Sequence, residues 1–154
     1  HNNPWIVIAN TVEGNNERAF DVYKRNCPAY LEDISEIHKT EPYVYSQTIA
    51  GRDAKNYGEA KNSFLTGTAS WTFVAASQAL LGFIPDYDGL KLDPHLPKEI
   101  KLVKGTRIFR GVKYNITIHN TGSTYKLIVN NKVIEGNIIP YNKNDKVVPV
   151  DVYC

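Results

Sequence analysis

Two segments in the first part of the chain, residues 4–12 and 17–26, place apolar side chains at helical spacing. Residues that favour helix starts and stops flank both segments, namely Pro4, Gly14, Asn15, Asn16 and Pro28. The pattern predicts two antiparallel helices joined by a tight turn, with Asn15 or Asn16 as the N-cap of the second. A weaker helical turn is expected at residues 31–37.

The longest helical pattern runs from Thr66 to Leu81, with Gly82 as its stop. One face is predicted to carry Trp71, Val74, Ala75, Gln78 and Leu81. The opening turn is small and rich in hydroxyls, and the unpaired N–H groups of a helix start carry roughly half a positive charge. We therefore expect this turn to bind a phosphate, sulfate or carboxylate, with the hydroxyls of Thr66, Thr68 and Ser70 as further donors. The alternative is that Thr66 only caps a buried helix.

Residues 41–62 show no sustained helical or strand period. A long connection of this kind inside a compact domain is usually functional, so we expect it to contribute to a site. Several aromatic side chains here and in the next helix have two open interpretations, stacking on sugar rings or packing in a core: Tyr43, Tyr45, Tyr57 and Trp71.

The second part of the chain alternates apolar and polar residues, which is typical of strands. Strands are predicted at residues 90–92, 100–103, 106–109, 112–118, 125–129 and 132–134, with turns at Gly111 and at Asn130-Asn131. The tail from residue 137 is rich in Asn, Lys and Pro, so we expect it to be weakly ordered, with one edge strand at 147–152. The pattern predicts an α+β protein in which helices precede an antiparallel β segment.

Net charge and cysteine usage narrow the classes of function. The chain has a net charge of +2 and no dense basic run, which argues against nucleic acid or an anionic membrane surface as partner. The longest low-charge stretch, residues 64–87, is broken by Gly and polar residues, so no membrane span is predicted. Cys27 and Cys154 are far apart and suit a reducing compartment, and we expect a cytoplasmic protein with free thiols.

No metal site is predicted. The histidines His38, His95 and His119 lack the spacing of a metal-ligand set. The acidic cluster of Asp86, Asp88 and Asp93 is punctuated by proline and glycine, which indicates tight turns rather than a Ca²⁺ site.

Five motifs carry a resemblance to a known family. They are HNNPW at residues 1–5, EPYVYSQ at 41–47, LTGTASW at 65–71, LGFIPDYDGLKLDP at 81–94 and TRIFRGVKY at 106–114. In order and spacing they resemble the C-terminal part of the inverting glycoside phosphorylases that include cellobiose and chitobiose phosphorylase. The resemblance extends from residue 1 to about residue 120.

The resemblance implies a fold and a reaction. The helices would be the last ones of an (α/α)6 barrel, at residues 1–84, followed by a small antiparallel β-sandwich domain at residues 85–154. Family members convert a β-linked disaccharide and inorganic phosphate into a sugar 1-phosphate of inverted configuration and a free sugar, without organic cofactor or metal. A homodimer is expected. Because the chain contains no methionine, we interpret it as a piece of a larger polypeptide that is inactive in isolation.

The resemblance also assigns residues to the site. His1, Thr66 and Gly67 match the phosphate-contacting positions of the family, and Gln47 matches a glutamine that binds sugar. Glu41 and Tyr45 fall in the same motif and are expected to line the cleft. The general acid, an aspartate, and the phosphate-binding arginines would lie upstream of His1.

Two other functions stay open from the sequence. One is the phosphorylase-like region of a cyclic β-1,2-glucan synthase, which shares these motifs. The other is a non-catalytic carbohydrate-binding module built on the β segment alone, although the motifs lie largely on the helices and the loop.

Overall fold

The predicted pair of helices forms in the computed structural model, which describes residues 1–154. Helix α1 is Asn3–Val12 and α2 is Asn16–Asn26, and the two pack against each other. Pro4 stands in the first turn of α1, where a missing N–H removes no helical hydrogen bond. Asn15 occupies the N-cap position of α2, but its amide binds Glu13 Oε2 at 3.3 Å instead of capping the helix.

The connection to the next long helix has more regular structure than its composition predicts. A 3₁₀ turn at Pro28–Ile34 and helix α3, Ser35–His38, replace the single helical turn expected at residues 31–37. Within the segment expected to lack strands, β1, Thr48–Ile49, pairs antiparallel with β2, Ala60–Lys61. This short ladder fixes the position of the residues just before β1, including Gln47.

Helix α4 is Thr68–Val74 and continues as a π-helical segment, Ala75–Leu80. It begins two residues later than predicted, because Thr66 and Gly67 form the turn in front of it. Thr68, Thr72 and Ala75 are buried at α-helical spacing, and the next buried residue, Leu80, follows five positions later. A π-helix widens the spacing in this way. Of the residues predicted to share one face, Ala75 is buried, whereas Trp71 is 40% exposed.

Eight strands follow, and they form two sheets. Strands β5 to β8 and β10 form a five-stranded sheet in the order β5-β6-β10-β7-β8, and β3, β4 and β9 form a three-stranded sheet in the order β3-β4-β9. The strands are β3 Phe83–Pro85, β4 Gly89–Leu92, β5 Leu102–Phe109, β6 Val112–His119, β7 Lys126–Val129, β8 Lys132–Ile134, β9 Ile138–Pro140 and β10 Val147–Tyr153.

Both sheets contribute to one hydrophobic core. Alternate residues of β6 and β10 point into it, among them Tyr114 and Val150, and Leu90 joins them from the smaller sheet. A single strand, β5, replaces the two strands predicted there. Within it the Phe83 ring lies close to Gly105, because a Cβ at this position would lie 3.0 Å from that ring. Asn130 and Asn131 form the predicted hairpin turn, both with positive φ.

The tail corrects two predictions. It is not weakly ordered: β9 pairs with β4, and β10 lies between β6 and β7 rather than at an edge. Strand β10 runs parallel to β6, so the sheet is mixed and not purely antiparallel. The valines of β10 alternate into the core, whereas the Asn- and Lys-rich composition is confined to the turn before it.

The contacts within the chain divide it into two units, His1–Ala76 and Ser77–Cys154. The first is helical and contains every residue expected to bind phosphate or sugar. The second is a small β unit. The chain is thus an α+β protein, and the domain boundary after residue 84 stays a prediction.

Candidate functional site

The structure brings three predicted phosphate-binding residues together. His1 precedes α1, and its ring nitrogen Nδ1 lies 3.1 Å from Oγ1 of Thr66, which is 65 positions away in the chain. A Cβ placed on Gly67 would lie 3.1 Å from Cε1 of the same ring. The side chain of His1 therefore lies against the turn at the start of α4. We call His1, Thr66 and Gly67 the histidine cluster.

Gly67 is required for space rather than for backbone conformation. It is the N-cap residue of α4, with φ of −80°, a value that any residue adopts. Its carbonyl oxygen accepts from the Trp71 N–H and from the Ser70 hydroxyl, each at 3.0 Å. Its own N–H makes no hydrogen bond within the chain. The ring of His1 and an unpaired N–H thus lie at one position on the turn.

The hydroxyls around Thr66 form a continuous chain of hydrogen bonds. Thr66 Oγ1 accepts from the Thr68 N–H at 3.0 Å and lies 2.6 Å from Thr68 Oγ1. The Thr68 hydroxyl in turn donates to the Ser46 carbonyl at 2.9 Å. We expected the hydroxyls of Thr68 and Ser70 to be free donors for an anion, and this is wrong, because both bind main-chain carbonyls.

Gln47 joins the histidine cluster through both its main chain and its side chain. Its carbonyl oxygen accepts from the main-chain nitrogen of His1 at 2.9 Å, and its N–H donates to the Lys61 carbonyl of β2 at 3.1 Å. Its side-chain Oε1 accepts from Asn62 Nδ2 at 2.8 Å. The amide NH₂ of Gln47 has no partner within the chain, so two donors remain for a ligand.

Glu41 and Tyr45 have no described contact with the histidine cluster. Glu41 borders a separate cavity of about 160 Å³, together with Pro28, His38 and Tyr43. Tyr45 is half-buried, and burial raises the pKa of its hydroxyl to about 12, with smaller contributions from Cys27 and Tyr23. The Cys27 and Thr72 side chains also influence this pKa. Their expected place in a sugar-binding cleft stays a prediction.

Two tryptophans lie beside His1. The His1 and Trp5 rings are 6.2 Å apart in an edge arrangement, and Trp5 meets Trp71 edge-on at 5.5 Å. Both indoles keep about half of their surface exposed. Trp71 is therefore not a core residue. The position of Trp5 was missed, and the only signal in the sequence was its place in the HNNPW motif.

The remaining candidate sites carry no metal-binding geometry. The chain has no group of three or more His, Cys, Asp or Glu side chains able to hold a metal ion. Asp86 accepts from the Asp88 N–H at 3.1 Å, as in an Asx turn, and Asp93 pairs with Lys91 at 2.9 Å. Cys27 and Cys154 are free thiols. No helix combines the length and the apolar character needed to cross a membrane.

The helical unit thus brings a histidine, a threonine and a glycine N–H together at a helix start, an arrangement of the kind that can bind an oxyanion. Comparison with known proteins places the chain in a family. Residues 1–82 match the catalytic domain of the Glycosyl hydrolase 94 superfamily, and the chain belongs to this family.

Individual relatives extend the match into the β unit. The chain is 35% identical over 144 residues to an N,N'-diacetylchitobiose phosphorylase from Vibrio proteolyticus, covering 91% of this chain and 18% of the relative. It is 31% identical over 144 residues to a solabiose phosphorylase from Paenibacillus borealis, covering 91% of this chain and 19% of the relative. A cyclic beta-(1,2)-glucan synthase from Rhizobium meliloti is 29% identical over 102 residues, covering 64% of this chain and 4% of the relative. The chain spans about a fifth of the length of the two phosphorylases.

Proposed function

We propose that this chain is the C-terminal part of an inverting glycoside phosphorylase. The enzyme cleaves a β-linked disaccharide with inorganic phosphate and releases a sugar 1-phosphate of inverted configuration and a free sugar. The observation that carries the proposal is the histidine cluster, in which His1 lies against the helix start at Thr66 and Gly67. The family and the phosphorylase names of the relatives support it.

The residue types suit phosphorolysis. An inverting hydrolase places a carboxylic acid on one side of the glycosidic bond and a carboxylate that activates water on the other. Phosphate is already an anion and needs no such base. It needs an oriented set of donors that holds one oxygen in line with the anomeric carbon. The Gly67 N–H and the ring of His1 would supply these donors.

The reaction breaks one bond and forms another. A phosphate oxygen forms a bond to the anomeric carbon as the glycosidic C–O bond breaks, and the leaving oxygen takes a proton from a general acid. We propose that this acid is an aspartate in the region upstream of His1, where the (α/α)6 barrel would also begin. The chain itself would contribute phosphate and sugar binding, and would be inactive alone.

On the sugar side, we propose Gln47 as the main contact, because its amide NH₂ is unpaired and Asn62 orients it. Glu41 and Tyr45 are proposed to line the cleft at a greater distance from the phosphate. The active enzyme would be a cytoplasmic homodimer and would use no metal or organic cofactor.

The test is an assay of the complete polypeptide with inorganic phosphate and a panel of β-linked disaccharides of glucose and N-acetylglucosamine. Sugar 1-phosphate that appears only with phosphate, and with one donor of the panel, is the expected result and identifies the substrate. Free sugar released equally well without phosphate would contradict the proposal.

A second function is favoured by one comparison, the match to the cyclic beta-(1,2)-glucan synthase. In that case the same region would belong to a synthase. The same assay separates the two, because a synthase would elongate or cyclise a glucan chain rather than depend on the supplied disaccharides. Sugar binding by residues 90–154 alone would instead favour a binding module.

A further inference from the structure

We infer that Thr68 is a positioning residue that holds the proton of His1 on Nδ1 and turns Nε2 toward the phosphate site. The inference rests on the proposed function. Thr68 itself touches no ligand, because its side chain is buried with 2% of its surface exposed. It acts through Thr66, and the direction of each hydrogen bond in the chain of hydroxyls can be assigned.

The assignment starts at the Ser46 carbonyl, which can only accept. Thr68 Oγ1 lies 2.9 Å from it, so the single hydroxyl proton of Thr68 points to Ser46. Thr68 Oγ1 then has no proton for Thr66, which lies 2.6 Å away. The hydroxyl of Thr66 must be the donor in that contact.

The hydroxyl proton of Thr66 is therefore donated to Thr68 and is not available for a hydrogen bond to His1. Thr66 Oγ1 can only accept from the ring nitrogen Nδ1 at 3.1 Å, just as it accepts from the Thr68 N–H. Nδ1 carries a proton as a result. In the neutral ring the other nitrogen, Nε2, then carries a lone pair.

Nε2 is the nitrogen available to a ligand. It lies 3.8 Å from the point where a Cβ on Gly67 would lie, and no group of the chain hydrogen-bonds it. A lone pair there repels an anion, whereas the protonated ring donates to it. An anion without a proton of its own should therefore bind only when His1 takes up one proton.

Among the residues of this chain, those that face His1 leave this proton as the main titrating element. The proposed upstream aspartate and arginines are the same in the wild type and in the variants, so the comparison between them reports on His1. Helix α1 contains no ionisable residue, and the residues of the α4 turn from Thr66 to Trp71 are uncharged. On the β1–β2 side, Lys39 and Lys61 both pair with Glu59. Arg52, Asp53 and Lys55 lie in the connection between the two strands. The main-chain nitrogen of His1 binds the Gln47 carbonyl and is not a titrating group in the complete polypeptide.

Sulfate is a suitable probe, because it stays a dianion over the working pH range and phosphate does not. In the complete enzyme, the inhibition constant of sulfate against phosphate is measured from about pH 5.5 to 8.5. If sulfate binding requires the uptake of one proton, the inhibition constant of sulfate should rise about tenfold per pH unit on the alkaline side. A wild-type enzyme that turns over phosphate, yet whose sulfate inhibition is independent of pH, would overturn the inference without any variant.

Thr68→Val tests the role of Thr68 itself. Valine keeps the shape but cannot accept from Thr66, whose hydroxyl can then donate to Nδ1, so that the neutral ring carries its proton on Nε2. Sulfate should then bind to the neutral ring as well. The inhibition constant of sulfate should therefore increase by less than about threefold per pH unit. Thr68→Ser should keep the wild-type slope, since it retains the hydroxyl.

Thr72→Val is the matched control. It removes another buried threonine hydroxyl from the same helix, one that lies near Asn26 and Tyr45 and is not part of the Thr66 chain. The inhibition constant of sulfate should depend on pH in this variant as it does in the wild type. A wild-type slope in Thr68→Val, or equal flattening in Thr72→Val, would overturn the role of Thr68. Absence of phosphate-dependent turnover in the wild type would instead contradict the proposed function.

Discussion

Replacing Gly67 by alanine tests the phosphate site with a single methyl group. The new Cβ would lie 3.1 Å from Cε1 of His1 and 3.5 Å from Cδ1 of Trp71. Ordinary van der Waals contacts begin at 3.4 Å, so the His1 ring must move by about 0.3 Å. The backbone of Gly67 needs no change, because its φ of −80° suits alanine. The substitution therefore displaces His1 and leaves the turn in place.

The size of the effect follows from that displacement. A misplacement of about 1 Å in a catalytic site lowers the rate roughly 100-fold. If the activation free energy scales with the displacement, a shift of about 0.3 Å lowers the rate about fourfold. We expect kcat/KM for phosphate to fall by at least about fourfold in Gly67→Ala. The melting temperature should stay close to that of the wild type.

The assay is the initial rate of sugar 1-phosphate formation by the complete enzyme, with phosphate varied at saturating disaccharide. Gly51→Ala is the control, because a Cβ there meets nothing within 4 Å and the backbone is not left-handed. It should behave as the wild type. Unchanged kcat/KM for phosphate in Gly67→Ala would refute the placement of His1 against this turn.

Three further predictions address the phosphate site, the β unit and the helical unit. Thr66→Val removes the acceptor shared by His1 and the Thr68 N–H, and should raise the KM for phosphate about tenfold in the same assay. An unchanged KM would exclude Thr66 from the site. Gly89→Ala places a Cβ 1.9 Å from the Ile139 carbonyl oxygen, so urea titration of the chain should show a loss of about 3 kcal/mol in the free energy of unfolding. A loss below about 1 kcal/mol would contradict the pairing of β4 with β9. The pKa of Tyr45 is raised from 10.0 to about 12, so its contribution to stability is complete below pH 10 and is lost as pH rises through 12. Tyr45→Phe should therefore lose less stability than the wild type between these pH values in urea titrations, and an equal loss would count against the burial of this hydroxyl.

Local patterns were sufficient to predict the elements whose cause is local. The spacing of apolar residues and the placement of Pro4 predict α1 and α2, and the Asn130-Asn131 turn predicts the β7–β8 hairpin. These features depend on neighbours in the sequence, such as a proline in a first turn or two residues that tolerate positive φ. The structure therefore confirms them with boundary shifts of only one or two residues.

The tail shows why composition fails where pairing is long-range. Many residues after residue 137 are Asn, Lys or Pro, which favour turns, and the sequence contains no signal for a parallel partner. Strand β10 is nevertheless placed between β6 and β7, because Val148, Val150 and Val152 complete a core whose other members precede them. The register of such a strand depends on distant residues, and a pattern confined to the strand itself cannot report it.

The proposed phosphate site depends on both local and long-range information. The turn before α4 could be proposed as an oxyanion site from the sequence, because hydroxyls and a glycine precede an apolar helix, and this stays a prediction. The role of Thr68 could not be predicted, because in the sequence Thr68 is only one more hydroxyl residue close to Thr66. Its proton is committed only because β1 and β2 hold the preceding loop so that the Ser46 carbonyl meets it, 22 residues away. We infer that the short β1–β2 ladder, by holding this loop, helps to determine which nitrogen of His1 is presented to the proposed anion.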